Sequence, residues 1–286
     1  MEEKEKVIEI DIERLKDFPN HPFRVDDDRQ MRQLKESIQS YGILTPLIVR
    51  PTPSGSYQII SGHRRKYAAL SLGYTKLPVI IRILKDDAAI IAMIDANLNR
   101  EDLLPSERAK AYKMKYDAIK RIGKKKTSGQ FDHLKGIRSV EILGEDMGES
   151  PKQIQRYLKL ANLIPEFLQM LDDGKIGFTP AVTIAFLKQE EQKQLISAMN
   201  QTQAKPSVSQ AQYFKELSKE GKLTERVMVT TLSEVKKGEI HRVMFKNEQL
   251  YKYFPANSSP LEMKEAILQM LDAWSQLKGK KVHENV

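Results

Sequence analysis

The stretch Tyr57-Gln58-Ile59-Ile60-Ser61-Gly62-His63-Arg64-Arg65 constrains the fold more than any other part of the chain. Its apolar, β-branched start reads as the end of a strand. Lys66-Tyr67-Ala68-Ala69-Leu70, closed by Gly73, reads as the body of a helix. Only Ser61-Gly62 lies between them, so strand must run straight into helix, as it does in an α/β layer structure. Such a turn can hold a phosphate. The first N–H groups of a helix point outward, its dipole favours anions, and glycine permits close approach. Arg64 and Arg65 add charge and forked donors. The alternative is a plain strand-to-helix turn whose arginines face solvent.

The flanking residues agree with an α/β unit. Val7, Ile8, Ile10 and Ile12 form a short strand, and Asp17 to Arg24 is a loop broken by Pro19 and Pro22. Asp26-Asp27-Asp28 opens a helix with Met31, Leu34, Ile38 and Tyr41 on one face, stopped by Gly42. Pro46 to Arg50 and Leu77 to Leu84 are strands, and Asp86-Asp87 starts a helix through Ile90, Ile91, Ile94 and Leu98. Strands and helices interleave over residues 1–103 and then stop. After Leu103-Leu104-Pro105 a helix runs from Ser106 to about Arg121, followed by an exposed loop from Gly123 to Gln130.

A second pattern begins at Val140 and ends at Asn162. Leu143, Gly144, Met147, Gly148, Ile154 and Tyr157 have the spacing of a helix-turn-helix. Gly144 lets the second helix approach the first, and Gly148 makes the turn. Ser150-Pro151-Lys152-Gln153 marks the second helix start, with Ser150 as N-cap, proline at the first position and Gln153 closing a capping box. Lys152, Gln153, Gln155, Arg156 and Lys159 lie on or beside the outer face, where long polar and basic side chains suit base edges and phosphates. Residues 111–138 hold nine Lys/Arg against two Asp, which adds Arg138 to the candidate DNA-contacting set with Ser150. An ordinary helical hairpin is the competing explanation.

Helical signals continue from Ile164-Pro165 to Met199, and the polar break at 201–209 marks a boundary. In 206–286, Tyr213 to Glu220 is helical, while Val227-Met228-Val229 and Ile240 to Phe245 read as short strands. Ser259-Pro260-Leu261-Glu262 is a capping box. It leads a stripe of Met263, Ile267, Met270, Leu271, Trp274 and Leu277 that either packs on its own domain or forms a dimer face. The expected fold class is α+β and mostly helical. It comprises an α/β domain over 1–103, an all-helical domain over 104–205 and a small C-terminal α/β or helical domain over 206–286.

Forty-seven Lys/Arg against 38 Asp/Glu give a net charge of +9, which points to a polyanionic partner, nucleic acid before membrane. No cysteine is present, which excludes disulfides, thiolate zinc sites and cysteine nucleophiles and fits a reducing cytoplasm. No stretch approaches the length of a membrane-spanning helix. Five histidines scattered singly give no metal-ligand cluster.

An α/β unit with a phosphate turn, followed by a basic helix-turn-helix, resembles the ParB partition-protein family over roughly residues 8–200. The motifs that carry the likeness are Asn20-His21-Pro22-Phe23-Arg24, Gly62-His63-Arg64-Arg65 and Asn97-Leu98-Asn99-Arg100-Glu101, with Tyr41-Gly42-Ile43-Leu44-Thr45-Pro46-Leu47-Ile48-Val49 between them. The resemblance implies an N-terminal fold shared with sulfiredoxins, whose chemistry needs a cysteine that this chain lacks. It also implies binding of double-stranded DNA at a centromere-like site, a CTP-responsive clamp with Mg2+, a homodimer and a ParA-type ATPase partner. By motif, Ser61, Gly62, His63, Arg64 and Arg65 would cradle the triphosphate. Arg24 would lie near it, Asn97 would help coordinate the magnesium, and Arg100 and Glu101 would complete the pocket. Three positions depart from the family pattern: His63 replaces an acid, Ala96 replaces a glutamate and His21 aligns with a glutamine. The lost oxygen at Ala96 weakens the expectation of magnesium binding and CTP hydrolysis. A ParB-like transcriptional regulator or accessory factor of a mobile element, without an active nucleotide switch, is the alternative.

Overall fold

The computed structural model describes residues 6–98, 100, 103–126, 132–233, 250, 252–255 and 258–277, the side chains of 124–126, 132–138 and 277 excepted. The chain divides into two compact units, 1–234 and 235–286.

The first unit opens with a five-stranded mixed sheet in the order β1-β5-β3-β4-β2. Its strands are β1 (Val7–Asp11), β2 (Leu15–Lys16), β3 (Leu47–Pro51), β4 (Tyr57–Ser61) and β5 (Lys76–Ile81). β1 pairs antiparallel with β5, with Ile8 opposite Val79, and β3 runs parallel to β5. β3 and β4 are antiparallel, with Val49 opposite Ile59 and an irregularity between Ile48 and Val49. β4 is buried on both faces, and its alternation shows why. Ile59 joins Leu15, Leu47, Val49, Ala69, Leu77 and Val79 in one cluster, whereas Ile60 joins Phe18, Phe23, Ala89, Met93 and Ile94 in another. Each such aliphatic burial contributes about 1.5–3 kcal/mol relative to exposure.

The layers that cover this sheet are α1 (Arg29–Tyr41), α2 (His63–Ser71) and α3 (Asp86–Leu98). Met31 and Ile38 of α1 pack on Ala68 of α2, while Met93 and Ile94 of α3 close the other side. Helix α1 starts one residue later than the acidic run suggested. Asp28 is its N-cap and accepts from the Met31 N–H at 2.7 Å.

Beyond residue 104 the first unit is helical: α4 (Pro105–Lys126), α5 (Asp132–Met147), α6 (Pro151–Leu160), α7 (Pro165–Asp172), α8 (Phe178–Ile184), α9 (Gln189–Thr202), α10 (Val208–Lys219) and α11 (Glu225–Ser233). One core runs through them from Tyr112 and Leu143 to Phe214, Met228 and Leu232, so it continues past the polar break at 201–209. Two local expectations change. Gly123 to Lys126 belongs to the end of α4, not to a loop, and 127–130 lies outside the described residues. Val227-Met228-Val229 is helical, because Met228 and Leu232 bury one helix face four residues apart and this packing overrides β-branched propensity. The strand expected at Ile240 to Phe245 lies outside the described residues.

In the second unit the described helix is Pro260–Leu277. Its capping box is formed: the Ser259 N–H donates to Glu262 Oε2 at 2.7 Å and the Glu262 N–H to Ser259 Oγ at 3.3 Å. Leu268, Met270, Leu271 and Trp274 are exposed along it. Among the described residues no helix is long and apolar enough to cross a membrane.

Candidate functional site

The turn after β4 is built on Gly62, whose φ is +108°. A Cβ there would sit 2.6 Å from Leu47 Cγ, so close packing of β3 on the turn demands glycine quite apart from any ligand. Gly62 offers no side chain to cap α2, which leaves the first N–H groups of that helix at the turn. That is the arrangement expected of an anion site.

The two arginines are held by the protein itself. Arg64 grips Asp28 with both terminal nitrogens, at 2.7 and 3.1 Å, and pulls the Asp28 carboxyl down to about 2. Arg65 donates through Nη1 to the carbonyls of Thr45 and Pro46, and burial lowers its pKa. Arg64 thus offers its charge at the protein surface beside a carboxylate, while Arg65 clamps the loop that leads into β3. Lys66 binds Asp17 at 2.9 Å.

His63 lies beneath this turn, 8% exposed. Its Nε2 accepts from the Phe18 N–H at 3.3 Å, so Nδ1 carries the proton. His21 stacks on it with ring centroids 3.8 Å apart and donates from Nδ1 to the Phe23 carbonyl at 2.8 Å. The other two ring nitrogens, His21 Nε2 and His63 Nδ1, are buried without a hydrogen-bond partner. Burial, and then the adjacent His21, push His63 down to about 3, and burial also lowers His21. Both rings are neutral at pH 7. They wall a cavity of about 280 Å³ together with Asp17, Lys66 and Tyr67, and they bring it no positive charge.

The third motif reaches the same region only in part. The charge of Arg100 is felt at Asp28, the partner of Arg64, and at His21. Asn97 turns its Nδ2 back onto the Met93 carbonyl of α3 at 2.8 Å. Asp95 instead binds Lys115 at 2.6 Å. Among the described residues no group of three or more His, Asp or Glu could hold a metal ion. The bond to Met93 uses the Asn97 amide nitrogen; the oxygen is the atom a hard cation would take, and Mg2+ usually needs only one or two protein oxygens beside phosphates and water. Glu101 lies outside the described residues. Arg24 faces α7: its Nη2 is 3.1 Å from Asp172 Oδ2, and its N–H donates to Glu107 Oε1 at 2.6 Å.

The helix-turn-helix is α5 and α6. A Cβ on Gly144 would come 2.7 Å from the Glu149 carbonyl oxygen, and Gly148 has φ +64°, so both glycines are required by the turn. Ser150 Oγ accepts from the Gln153 N–H at 3.2 Å. The capping box is not completed from the other side, because Gln153 Oε1 accepts from Arg156 at 3.2 Å instead. Ile154, Tyr157 and Leu160 are buried, with Tyr157 held edge-on between Tyr112 and Phe178. Lys152 and Gln155 are exposed, and Gln153, Arg156 and Lys159 are half-buried beside them. Arg156 is pre-positioned: Nη2 donates to Thr179 Oγ1 at 2.9 Å and the guanidinium lies 4.7 Å from the Phe178 ring centroid. The side chain of Arg138 lies outside the described set.

The sequence reasoning missed Asp28, Glu107, Asp172, Phe178 and Thr179. Only Asp28 had a local signal, as the last acid before a helix.

The family model described as ParB N-terminal domain matches residues 1–98. Stage 0 sporulation protein J of Bacillus subtilis (strain 168) is 31% identical over 268 residues, covering 86% of this chain and 89% of that protein. The crystal structure of the C-terminally truncated chromosome-partitioning protein ParB from Caulobacter crescentus complexed with CTP-gamma-S is 29% identical. That match covers 63% of this chain and 92% of that one, with a TM-score of 0.31. The Caulobacter protein complexed to the centromeric parS site is 25% identical, covering 74% of this chain and 99% of that one, with a TM-score of 0.39. With the N-terminal domain matched and the Bacillus relative aligned along nearly all of its length, this chain belongs to the ParB family of chromosome-partitioning proteins.

Proposed function

We propose that this chain recognises a centromere-like site in double-stranded DNA through α5 and α6 and acts in chromosome or plasmid segregation, in the cytoplasm on the nucleoid or plasmid. The observation that carries this is the outer face of α6, where Lys152, Gln155, Arg156 and Lys159 stand on a Ser-capped helix closed onto α5 by two obligatory glycines. In vitro selection from random duplexes with the full chain tests it. One short sequence is enriched, with strongly salt-dependent affinity. Arg156→Ala loses roughly 1–3 kcal/mol of discrimination between that site and single-base variants. Unchanged discrimination removes Arg156 from base readout, and failure to enrich any sequence refutes site recognition.

The α2 amino end supports a nucleotide role. The N–H groups at the start of α2 have no side-chain cap, and Arg64 stands in the same first turn, an arrangement suited to the phosphates of CTP. Differential scanning fluorimetry with CTP, with and without the selected duplex, reads this directly: a raised melting temperature supports it and none in either case refutes it. A second reading, a DNA-binding regulator without a nucleotide switch, draws on specific contacts. Asp28 already occupies Arg64, and the Asn97 amide nitrogen is bonded back to its own helix. A homodimer is supported by the exposed apolar side chains of helix Pro260–Leu277. A ParA-type ATPase partner is supported by family membership alone.

A further inference from the structure

Phe186 follows the end of α8 and is 47% exposed. A half-exposed phenylalanine is ordinary, but this one carries two cations. The ammonium of Lys159, in the last turn of α6, lies 4.0 Å from its ring centroid, and the ammonium of Lys215, on α10, lies 4.1 Å from it. Among the described residues neither lysine is in an ion pair with a carboxylate. The contrast with their neighbours is informative. Lys219, one turn further along α10, is bound to Glu216 at 3.0 Å, and Lys193 on α9 is bound to Glu190 at 2.9 Å. Two like charges held on one aromatic ring without a counter-ion repel each other and attract an anion. The ring also removes part of the rotational freedom that a lysine gives up on binding. Arg156 on the same helix shows the same construction on Phe178, so α8 and the residue pair that follows it provide an aromatic support for each cation at this end of α6.

We propose that Lys159, Phe186 and Lys215 form a phosphate clip that extends the DNA-contacting surface from α6 onto α10, with Lys215 holding the backbone of the bound duplex outside the base-reading contacts. The proposal rests on the DNA-binding reading above. It adds to that reading a residue 56 positions beyond Lys159, in a segment that carries no recognition motif. The occupant is a backbone phosphate, because ammoniums are point charges with no planar fork to read a base edge.

The test is fluorescence anisotropy of the full chain on a duplex of about 30 base pairs carrying the selected site, and on a scrambled duplex, across a potassium chloride series. Lys215→Gln is expected to flatten the slope of log affinity against log salt by about 0.9, which is about an eightfold loss at 0.1 M salt relative to 1 M, equally on both duplexes. Lys219→Gln, whose lysine is already neutralised by Glu216, leaves the slope unchanged. Circular dichroism melting checks that each variant folds as the wild type does. A Lys215→Gln protein with wild-type slope and affinity overturns the clip while leaving DNA binding intact. A loss confined to the selected duplex also overturns it, since it would make Lys215 a base reader. A wild-type chain that binds neither duplex removes the underlying reading and the clip with it.

Discussion

Lys115 is one of the large side chains buried completely among the described residues, and removing it separates the effect of charge from the effect of packing. It sits on α4, 1% exposed, with its ammonium 2.6 Å from Asp95 of α3 and 3.1 Å from Asp146 of α5. It thereby joins α3, which ends in the third motif, to the first helix of the helix-turn-helix. The two carboxylates are about half exposed, at 46% and 48%, so each regains water when the lysine leaves. The net worth of the ion pairs is therefore small, about 1 kcal/mol in all. The stem is different, because its methylenes lie in the interior. Lys115→Ala removes three of them at about 0.8 kcal/mol each and leaves a void, for a total of about 3–4 kcal/mol with the lost pairs. Lys115→Met keeps the volume and loses only the charge, at about 1 kcal/mol. Urea unfolding followed by far-ultraviolet circular dichroism, compared at constant m-value, measures both. If methionine costs as much as alanine, the ion pairs and not the buried stem stabilise this junction, and the reasoning from exposure is wrong.

Gly62→Ala forces a positive-φ alanine against Leu47 and is expected to destabilise by about 1–3 kcal/mol; Leu47→Ala in the same chain should relieve the steric share, and urea titration of the two single variants and the double variant measures the coupling. His63 is depressed to about 3 from 6.5, so the folded state resists its protonation. The stability it contributes is fully present above pH 6.5 and is lost as the pH falls toward 3, at no more than about 1.4 kcal/mol per pH unit. His63→Gln keeps an acceptor for the Phe18 N–H and lacks the titration. Urea midpoints of the two proteins should therefore diverge between pH 7 and pH 4, with the wild type falling faster, and parallel pH profiles would show that His63 does not titrate as its burial requires.

What was legible beforehand was local. Gly144, Gly148 and Ser150 each serve a turn or cap made with residues less than ten positions away, and each does what its spacing indicated. The apolar, β-branched run at Ile59 and Ile60 announced the end of a strand, and the structure adds that the two side chains enter different clusters. What escaped depended on partners far along the chain. Arg64 looked like a free phosphate ligand because Asp28, 36 positions earlier, declares itself only as a helix cap. Lys115 belonged to a run of basic residues that read as solvated or DNA-facing, and nothing in that run shows that α3 and α5 fold over it. Gln153 fits a capping box by spacing, yet Arg156, three residues on, competes for the same oxygen. Val227 to Val229 went wrong for the opposite reason: a β-branched pair outweighed the four-residue spacing of Met228 and Leu232.

The placement of Arg24 bears on how a nucleotide could be held at all. Asp172 at the end of α7 has a side chain only 2% exposed, and its charge is balanced by Arg24 together with the N–H and hydroxyl of Ser106. Glu107, also buried, accepts from the N–H groups of Arg24 and Leu104. The loop from Asn20 to Arg24 is therefore fastened to the start of α4 and the end of α7. Moving the Arg24 guanidinium onto a phosphate would leave Asp172 buried with two neutral-group hydrogen bonds and no counter-charge, a cost of about 3–5 kcal/mol. A nucleotide recovers that much only if α7 moves with the loop and exposes Asp172 to water. Helix α4 also carries Tyr112 against Tyr157 of α6, so such a movement would act on the second helix of the helix-turn-helix. With the loop fastened as it is, Arg24 holds the start of α4 and the end of α7 to the loop, and the proposed phosphate site is left with the open end of α2.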